Sequence, residues 1–232
     1  MREFVVPPPS TPAVAVVGET ARYPVRRIFC VGQNYASHAR EMGSDPNRQP
    51  PFFFMKPATA ILADGATLPY PARTANLHHE AELVVAIGAR GHGIAPAAAL
   101  RHVYGYAVGN DFTRRDLQAA AKEKGQPWEV AKGFDHSAGL GSIHAAARIG
   151  HPSRGAIWLA VNGLERQRGD LADMIWDVAG VIAELSTFFE LEPGDLIYTG
   201  TPAGVGAVVV GDVVVAGIDG LGTLTTRIGP PR

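Results

Sequence analysis

The sequence predicts an α+β protein dominated by β-structure. Three observations point there. The 27 glycines and 18 prolines in 232 residues imply many turns and short strands rather than a helix bundle. The tail from residue 191 reads as strand after strand broken by glycine turns. Apolar residues recur at helical spacings of 3 and 4 over a long stretch only at residues 172–190.

The elements follow in order. Residues 1–25 read as an extended lead-in, because the PPPSTP run resists helix, with one short strand in VAVVG. Residues 26–232 then read as one domain. RRIFCVG is a buried strand ending at a glycine. NYASHAREMG is a short helix, with Asn34 as cap and Gly43 as stop. SDPNRQPP, residues 44–51, is a polar proline-rich loop. FFFMKPATAILADGATLPYP reads as strand, turn, strand. HHEAELVVAIG is the clearest strand of the chain. HVYGYAVGNDFT is another, running directly into a helix from Thr113, TRRDLQAAAKEKG. AKGFDHSAGLGS is a loop and AIWLAVNG a strand. Ile175, Val178, Ile182, Leu185 and Phe189 mark the helix of residues 172–190.

Composition narrows the function. Twenty-one Lys and Arg oppose 22 Asp and Glu, a net charge of −1, so no basic footprint points to nucleic acid. No apolar run approaches the roughly 18 residues of a membrane span. The N-terminus lacks the pattern of a secretory signal. Cys30 is the one cysteine, which excludes an intramolecular disulfide and fits a reducing compartment. The expected location is the cytoplasm. Cys30 lies in an apolar strand and reads as a packed small hydrophobe.

Glu80 and Glu82 lie two apart on a strand and therefore share a face. Ala81, Leu83, Val85 and Ile87 fill the other. Two carboxylates heading a buried strand need a positive partner, unless the strand end is simply solvated. Asp111 stands where a strand meets a helix, as a helix cap or a functional acid. Converging carboxylates would suit Mg²⁺ or Mn²⁺, or Ca²⁺ with looser geometry. His38 and Glu41, three apart, meet on one helical turn, where a carboxylate can orient an imidazole. The chain has only four lysines, Lys132 among them. Adjacent Arg114 and Arg115 cannot both face one site.

The ordered set GQNYASHAREMG, FFFMKP, HHEAELVVAIG, GYAVGNDFTRRDLQ, AKGFDHSAGLG, LAVNG and PGDLIYTGTPAGVG resembles the fumarylacetoacetate hydrolase superfamily over about residues 26–230. The resemblance implies a β-rich fold, a mixed-sheet roll or sandwich with a few short helices, a divalent metal and a homodimer. It implies Glu80, Glu82 and Asp111 as metal ligands and Lys132 as the active-site lysine. Arg115, Gln118, Thr201 and Gly200 match substrate-binding positions. His38 and Glu41 match an acid–base pair on a mobile segment around residues 34–50. AGLG departs from the commoner family pattern at the Lys132 loop, where a proline often stands.

The implied activity is metal-dependent hydrolysis of a carbon–carbon bond in an acylpyruvate-like 2,4-diketo acid. Fumarylpyruvate is the preferred small-molecule keto-acid substrate, giving fumarate and pyruvate. Arg40 and Arg48 are candidates for its distal carboxylate, and His136 for the pocket lining. Oxaloacetate decarboxylation or hydroxymuconate-type isomerisation would use the same metal-held enolate. A non-catalytic, metal-stabilised interaction protein is the remaining alternative. A His/Glu pair beside the ligands favours hydrolysis.

Overall fold

The computed structural model describes residues 4–41 and 50–232. A hairpin of β1 (Ala13–Ala15) and β2 (Arg22–Pro24) precedes β3 (Arg27–Gly32), α1 (Ala36–Glu41) and β4 (Phe52–Lys56). Next come β5 (Ile61–Ala63), β6 (Thr67–Pro69), β7 (Leu77–His79) and β8 (Ala81–Ile87). The short α2 (Pro96–Ala99) leads to β9 (Val103–Asp111), β10 (Thr113–Arg114), α3 (Arg115–Glu123) and the one-turn α4 (Glu129–Lys132). β11 (Ala138–Leu140), β12 (His144–Ala145), α5 (Ala146–Ile149), β13 (Ala156–Val161) and β14 (Leu164–Asp170) precede α6 (Val178–Phe188). β15 (Asp195–Tyr198), β16 (Gly206–Val208), β17 (Val213–Ile218) and β18 (Gly222–Gly229) complete the order. Strands dominate, as the glycine and proline content predicts.

The main sheet runs β4-β3-β15-β8-β9-β11-β5, with β12 added on β9. It curls into a half-barrel. Tyr198 Oη on β15 donates to Gly139 O on β11 at 2.9 Å, reaching over the two strands between them. A second sheet, β14-β13-β17-β18-β6, packs on it. β8 is buried at every position, as expected for a strand covered on both faces. Its period of two still sorts its side chains. Leu83, Val85 and Ile87 join Ile157, Leu159 and Val214 in the core between the sheets. Val84 and Ala86 face Cys30, Leu196 and Tyr198 in a second cluster. Val14, Val16 and Tyr23 of the N-terminal hairpin belong to that second cluster. Cys30 is fully buried there, as a packed hydrophobe.

Several local expectations are corrected. The clearest strand is broken at Glu80: β7 pairs with β10 and β16 in a small sheet, while β8 enters the main one. The helix after β9 starts at Arg115, because Thr113 pairs with His78 as strand. The Lys132 loop contains α4 and β11. The long helix begins at Val178, where the Asp177 carboxylate caps the Gly180 amide at 2.8 Å. The preceding segment is held extended by Asn34, whose Oδ1 accepts from Trp176 N at 2.7 Å and whose carbonyl accepts from Ile175 N at 2.8 Å. Asn34 is therefore a tie between segments and not the cap of α1. Gly43 and Arg48 lie outside the described residues, as does most of the 34–50 segment. Among the described residues, no helix is long and apolar enough to cross a membrane.

Candidate active site

Strand order builds the site. β8 and β9 are antiparallel neighbours with Ala81 opposite Asn110, so the head of β8 meets the end of β9. The Asn110 side chain accepts the Glu80 amide at 2.9 Å, and the Glu80 carbonyl accepts the Asp111 amide at 2.9 Å. Glu80, Glu82 and Asp111 thereby converge, with one ligand oxygen from each within 4.8 Å of the others. All three are buried, which removes the solvated-strand-end alternative. Asp111 caps no helix.

Cations meet them. Lys132 Nζ donates to Glu80 Oε2 and Asp111 Oδ2, both at 2.7 Å. Burial opposes its charge, but Asp111 and Glu80 outweigh burial and keep the ammonium protonated. Arg115 Nη2 donates to Glu80 Oε1, and its Nη1 donates to Gln118 Oε1 at 2.5 Å. Burial would raise the Glu80 pKa, yet Lys132 and Arg115 hold it well below the ordinary carboxylate range. Arg114 turns away, donating to Val130 O at 3.0 Å and stacking over Phe134.

Glu82 is different. Among the described residues it accepts a single hydrogen bond, from the Gly200 amide at 2.7 Å. Burial, then the charges of Asp111 and Glu80, push its pKa well up. A buried carboxylate short of positive partners beside two others is a donor set that a divalent cation would complete. The residues present therefore fit such a cation, with oxygen ligands as Mg²⁺ and Mn²⁺ prefer. Gly200 is required as glycine: its φ is +96°, and a Cβ would come within 2.8 Å of the Asn34 Cβ.

The cavity over this cluster measures about 530 Å³ and is lined by His38, Lys132, Arg115, Gln118, Gly200 and Thr201 as well as the three acids. Nine of the ten expected site residues thus share one cavity. The tenth, Glu41, acts on His38 from behind: its Oε2 lies 3.0 Å from His38 Nδ1. Glu41 also accepts the Gly204 amide, so a glycine readable as an ordinary turn has a positioning task. Phe54 and Trp128 supply an apolar wall.

Other expectations are redirected. His136 lines a separate cavity with Arg232, and its Nε2 lies 3.0 Å from Arg232 Nη2. Arg40 is exposed and does not line the site cavity. His78 and His79 flank the acids; burial and Arg115 push His78 down to about 4, and burial lowers His79. His79 Nδ1 lies 3.0 Å from Gln167 Oε1.

Two residues escaped the sequence reading. Lys56 Nζ lies 2.7 Å from Asp111 Oδ1 with both side chains fully buried. Its one signal is a lysine ending the aromatic run FFFMKP. Gln167, on β14, accepts from Ala81 N at 3.0 Å and donates to Thr201 Oγ1 at 2.8 Å and Pro202 O at 2.9 Å. It ties the ligand-bearing strand to the Thr201 loop, and no sequence signal marks it within the polar stretch LERQRGD.

Comparison with known proteins agrees with this geometry. The family model described as fumarylacetoacetate (FAA) hydrolase C-terminal matches residues 27–229. The crystal structure of a fumarylpyruvate hydrolase from Pseudomonas aeruginosa, in complex with Mn²⁺ and pyruvate, is 51% identical and superposes with a TM-score of 0.95, covering 98% of this chain and 100% of that one. The human mitochondrial oxaloacetate tautomerase FAHD1 is 43% identical over 207 residues, 89% of this chain and 93% of that protein. A fumarylpyruvate hydrolase from Ralstonia sp. is 42% identical over 186 residues, 80% of this chain and 96% of that protein. The chain belongs to the fumarylacetoacetate hydrolase family and is a metal-dependent enzyme with an acidic cluster for a divalent cation.

Proposed function

We propose that this protein hydrolyses the carbon–carbon bond of an acylpyruvate-type 2,4-diketo acid, with fumarylpyruvate as preferred substrate and fumarate and pyruvate as products. The observation that carries this reading is the imidazole of His38, backed by Glu41 and lining the same cavity as the three carboxylates. The 51% identity to a fumarylpyruvate hydrolase over nearly the whole chain supports the choice of substrate.

Glu80, Glu82 and Asp111 would hold the cation. When bound, it supplies Lewis-acid polarisation of the substrate's keto oxygen. Arg115, Gln118 and Thr201 hold the C1 carboxylate and keto group, while the Gly200 amide stays on Glu82. Glu41 fixes the imidazole tautomer with the proton on Nδ1, leaving Nε2 to take a proton from water. That water attacks the C4 carbonyl. The C3–C4 bond breaks, and its electron pair stays on C3 as the pyruvate enolate. The Lys132 ammonium places positive charge beside that developing charge. The proton held by His38 returns to C3, and the products are the two acids.

A second reading is keto–enol proton transfer on oxaloacetate, favoured by the 43% identity to the human tautomerase. It needs a proton acceptor at C3 but no attacking water. Metal-stripped protein, reloaded with Mg²⁺ or Mn²⁺ and given fumarylpyruvate, acetylpyruvate and oxaloacetate in turn, separates the two. Metal-dependent cleavage of the diketo acids supports hydrolysis. Interconversion of oxaloacetate tautomers with no diketo-acid cleavage supports the second reading.

A further inference from the structure

The cavity extends beyond the carboxylate cluster along one face of α3. Arg115, Gln118, Ala119, Lys122 and Glu123 line it, at spacings of 0, 3, 4, 7 and 8. These form two rows. Arg115 and Gln118 are buried, and Lys122 is exposed at the outer end of their row. Ala119 is exposed, so the row through Glu123 lies nearer solvent.

The cations of this cavity are differently committed. Arg115 is engaged with Glu80 and Gln118, and Lys132 with Glu80 and Asp111. Lys122 has no ion-pair partner among the described residues. Lysine is also scarce here, with four in the chain.

We propose that Lys122 forms the subsite for a second, distal carboxylate, so that the cavity selects seven-carbon dicarboxylic keto acids over their monocarboxylic counterparts. This rests on the acylpyruvate reading of the site. The dimensions fit. Four residues of helix separate Gln118 from Lys122, a rise of about 6 Å. Five bonds separate the C2 keto carbon from C7 in an extended seven-carbon diacid, also about 6 Å at the advance per bond of an extended chain. Helical side chains lean toward the helix N-terminus, which inclines Lys122 back toward Gln118 and the metal end. Phe54 and Trp128 offer an apolar wall for the carbon chain between the two charged ends. Arg40 is displaced as candidate because it does not line the cavity, whereas Lys122 does.

The test uses saturated keto acids, which lack the C4 carbonyl and bind without cleavage. Calorimetric titration of the Mn²⁺-loaded protein compares 2-oxoheptanedioate with 2-oxoheptanoate. Wild type is expected to prefer the diacid about fivefold, the ratio that a partly exposed ion pair of ~1 kcal/mol yields. Lys122→Met is expected to abolish the preference and Lys122→Arg to keep it. Lys124→Met, at a lysine outside the cavity lining, is expected to leave it unchanged. Glu123→Gln is expected to widen it, by removing a like charge from the rim. A wild type without preference, or a Lys122→Met protein that retains it, overturns the subsite. Fumarylpyruvate turnover judges the hydrolase reading separately: a preference that depends on Lys122 in a protein that cleaves no diketo acid keeps the subsite and removes the hydrolase.

Discussion

Glu41 Oε2 lies 3.0 Å from His38 Nδ1, while the same carboxylate accepts the Gly204 amide at 3.0 Å and 3.2 Å. The imidazole on α1 is thereby referenced to the loop after β15, whose Gly200 amide binds Glu82. His38→Ala is expected to lower kcat by about 10²–10⁴-fold, the usual loss on removing a general base. Glu41→Gln is expected to cost up to about 100-fold by mispositioning the ring. Steady-state kinetics at saturating metal checks both. Equal activity in the two variants and wild type would remove the pair from the mechanism.

The acidic cluster makes a prediction separable from turnover. A cation bound only by the folded state stabilises it by about 2.7 kcal/mol at 100 times its Kd. Mn²⁺ is expected to raise the Tm of the wild type. Glu82→Gln is expected to lose most of that increment while staying folded without metal, because it replaces an under-partnered buried carboxylate with a neutral amide. Thermal melts with and without Mn²⁺ decide it.

Gln167 ties β8 to the Thr201 loop through both ends of its amide. Gln167→Glu keeps the acceptors and removes the donor to Thr201 Oγ1 and Pro202 O. The expected outcome is a raised KM with a smaller change in kcat, as the Thr201 side of the site loosens. An unchanged KM would mean that Thr201 is held by other contacts.

Asp195 is fully buried, with Arg27 Nη2 at 2.6 Å from its Oδ2 and Arg26 Nη1 at 3.2 Å from its Oδ1. Asp195→Ala removes the acceptor shared by Arg27, Arg26 and the Glu192 amide, and because both arginines are partly exposed it is expected to destabilise the fold by about 1–3 kcal/mol. Urea unfolding measures it. A loss below 1 kcal/mol would mean that the arginines are solvated well enough alone.

Asp116 ties the start of α3 to residues 74 and 75, accepting from Thr74 Oγ1 at 2.6 Å and Ala75 N at 3.0 Å. Burial would raise its pKa, but these bonds and the Leu117 amide outweigh it and hold the carboxyl below its usual value. A depressed pKa contributes stability that is complete above the unfolded value, about 4, and is lost as pH falls through the folded one. Asp116→Asn is expected to flatten the pH dependence of stability below about pH 4. Acid titration of Tm in both proteins gives the comparison.

What the sequence made legible, and what it did not, follows from the range of the interactions. The pairing of Glu80 with Glu82 and the two faces of β8 were legible because strand periodicity is local. The His38–Glu41 contact was legible for the same reason on a helix. Lys56 was not: it ends a strand at one edge of the main sheet and reaches Asp111 only because that sheet curls. Gln167 was hidden in an exposed polar strand, where one inward position carries four partners. The extended run before α6 was read as helix because Ile175 fits the period, while the competing bonds come from Asn34, over 140 residues earlier in sequence.

In the proposed hydrolysis, water activated by His38 attacks the acyl carbon of the diketo acid. Cleavage of fumarylpyruvate in ¹⁸O-labelled water by the Mn²⁺-loaded enzyme, with products read by mass spectrometry, tests it most directly. Fumarate is expected to carry solvent oxygen in its newly formed carboxylate and to be produced about 10²–10⁴-fold more slowly by His38→Ala. Failure to form fumarate, or labelled fumarate at an undiminished rate from His38→Ala, would contradict it.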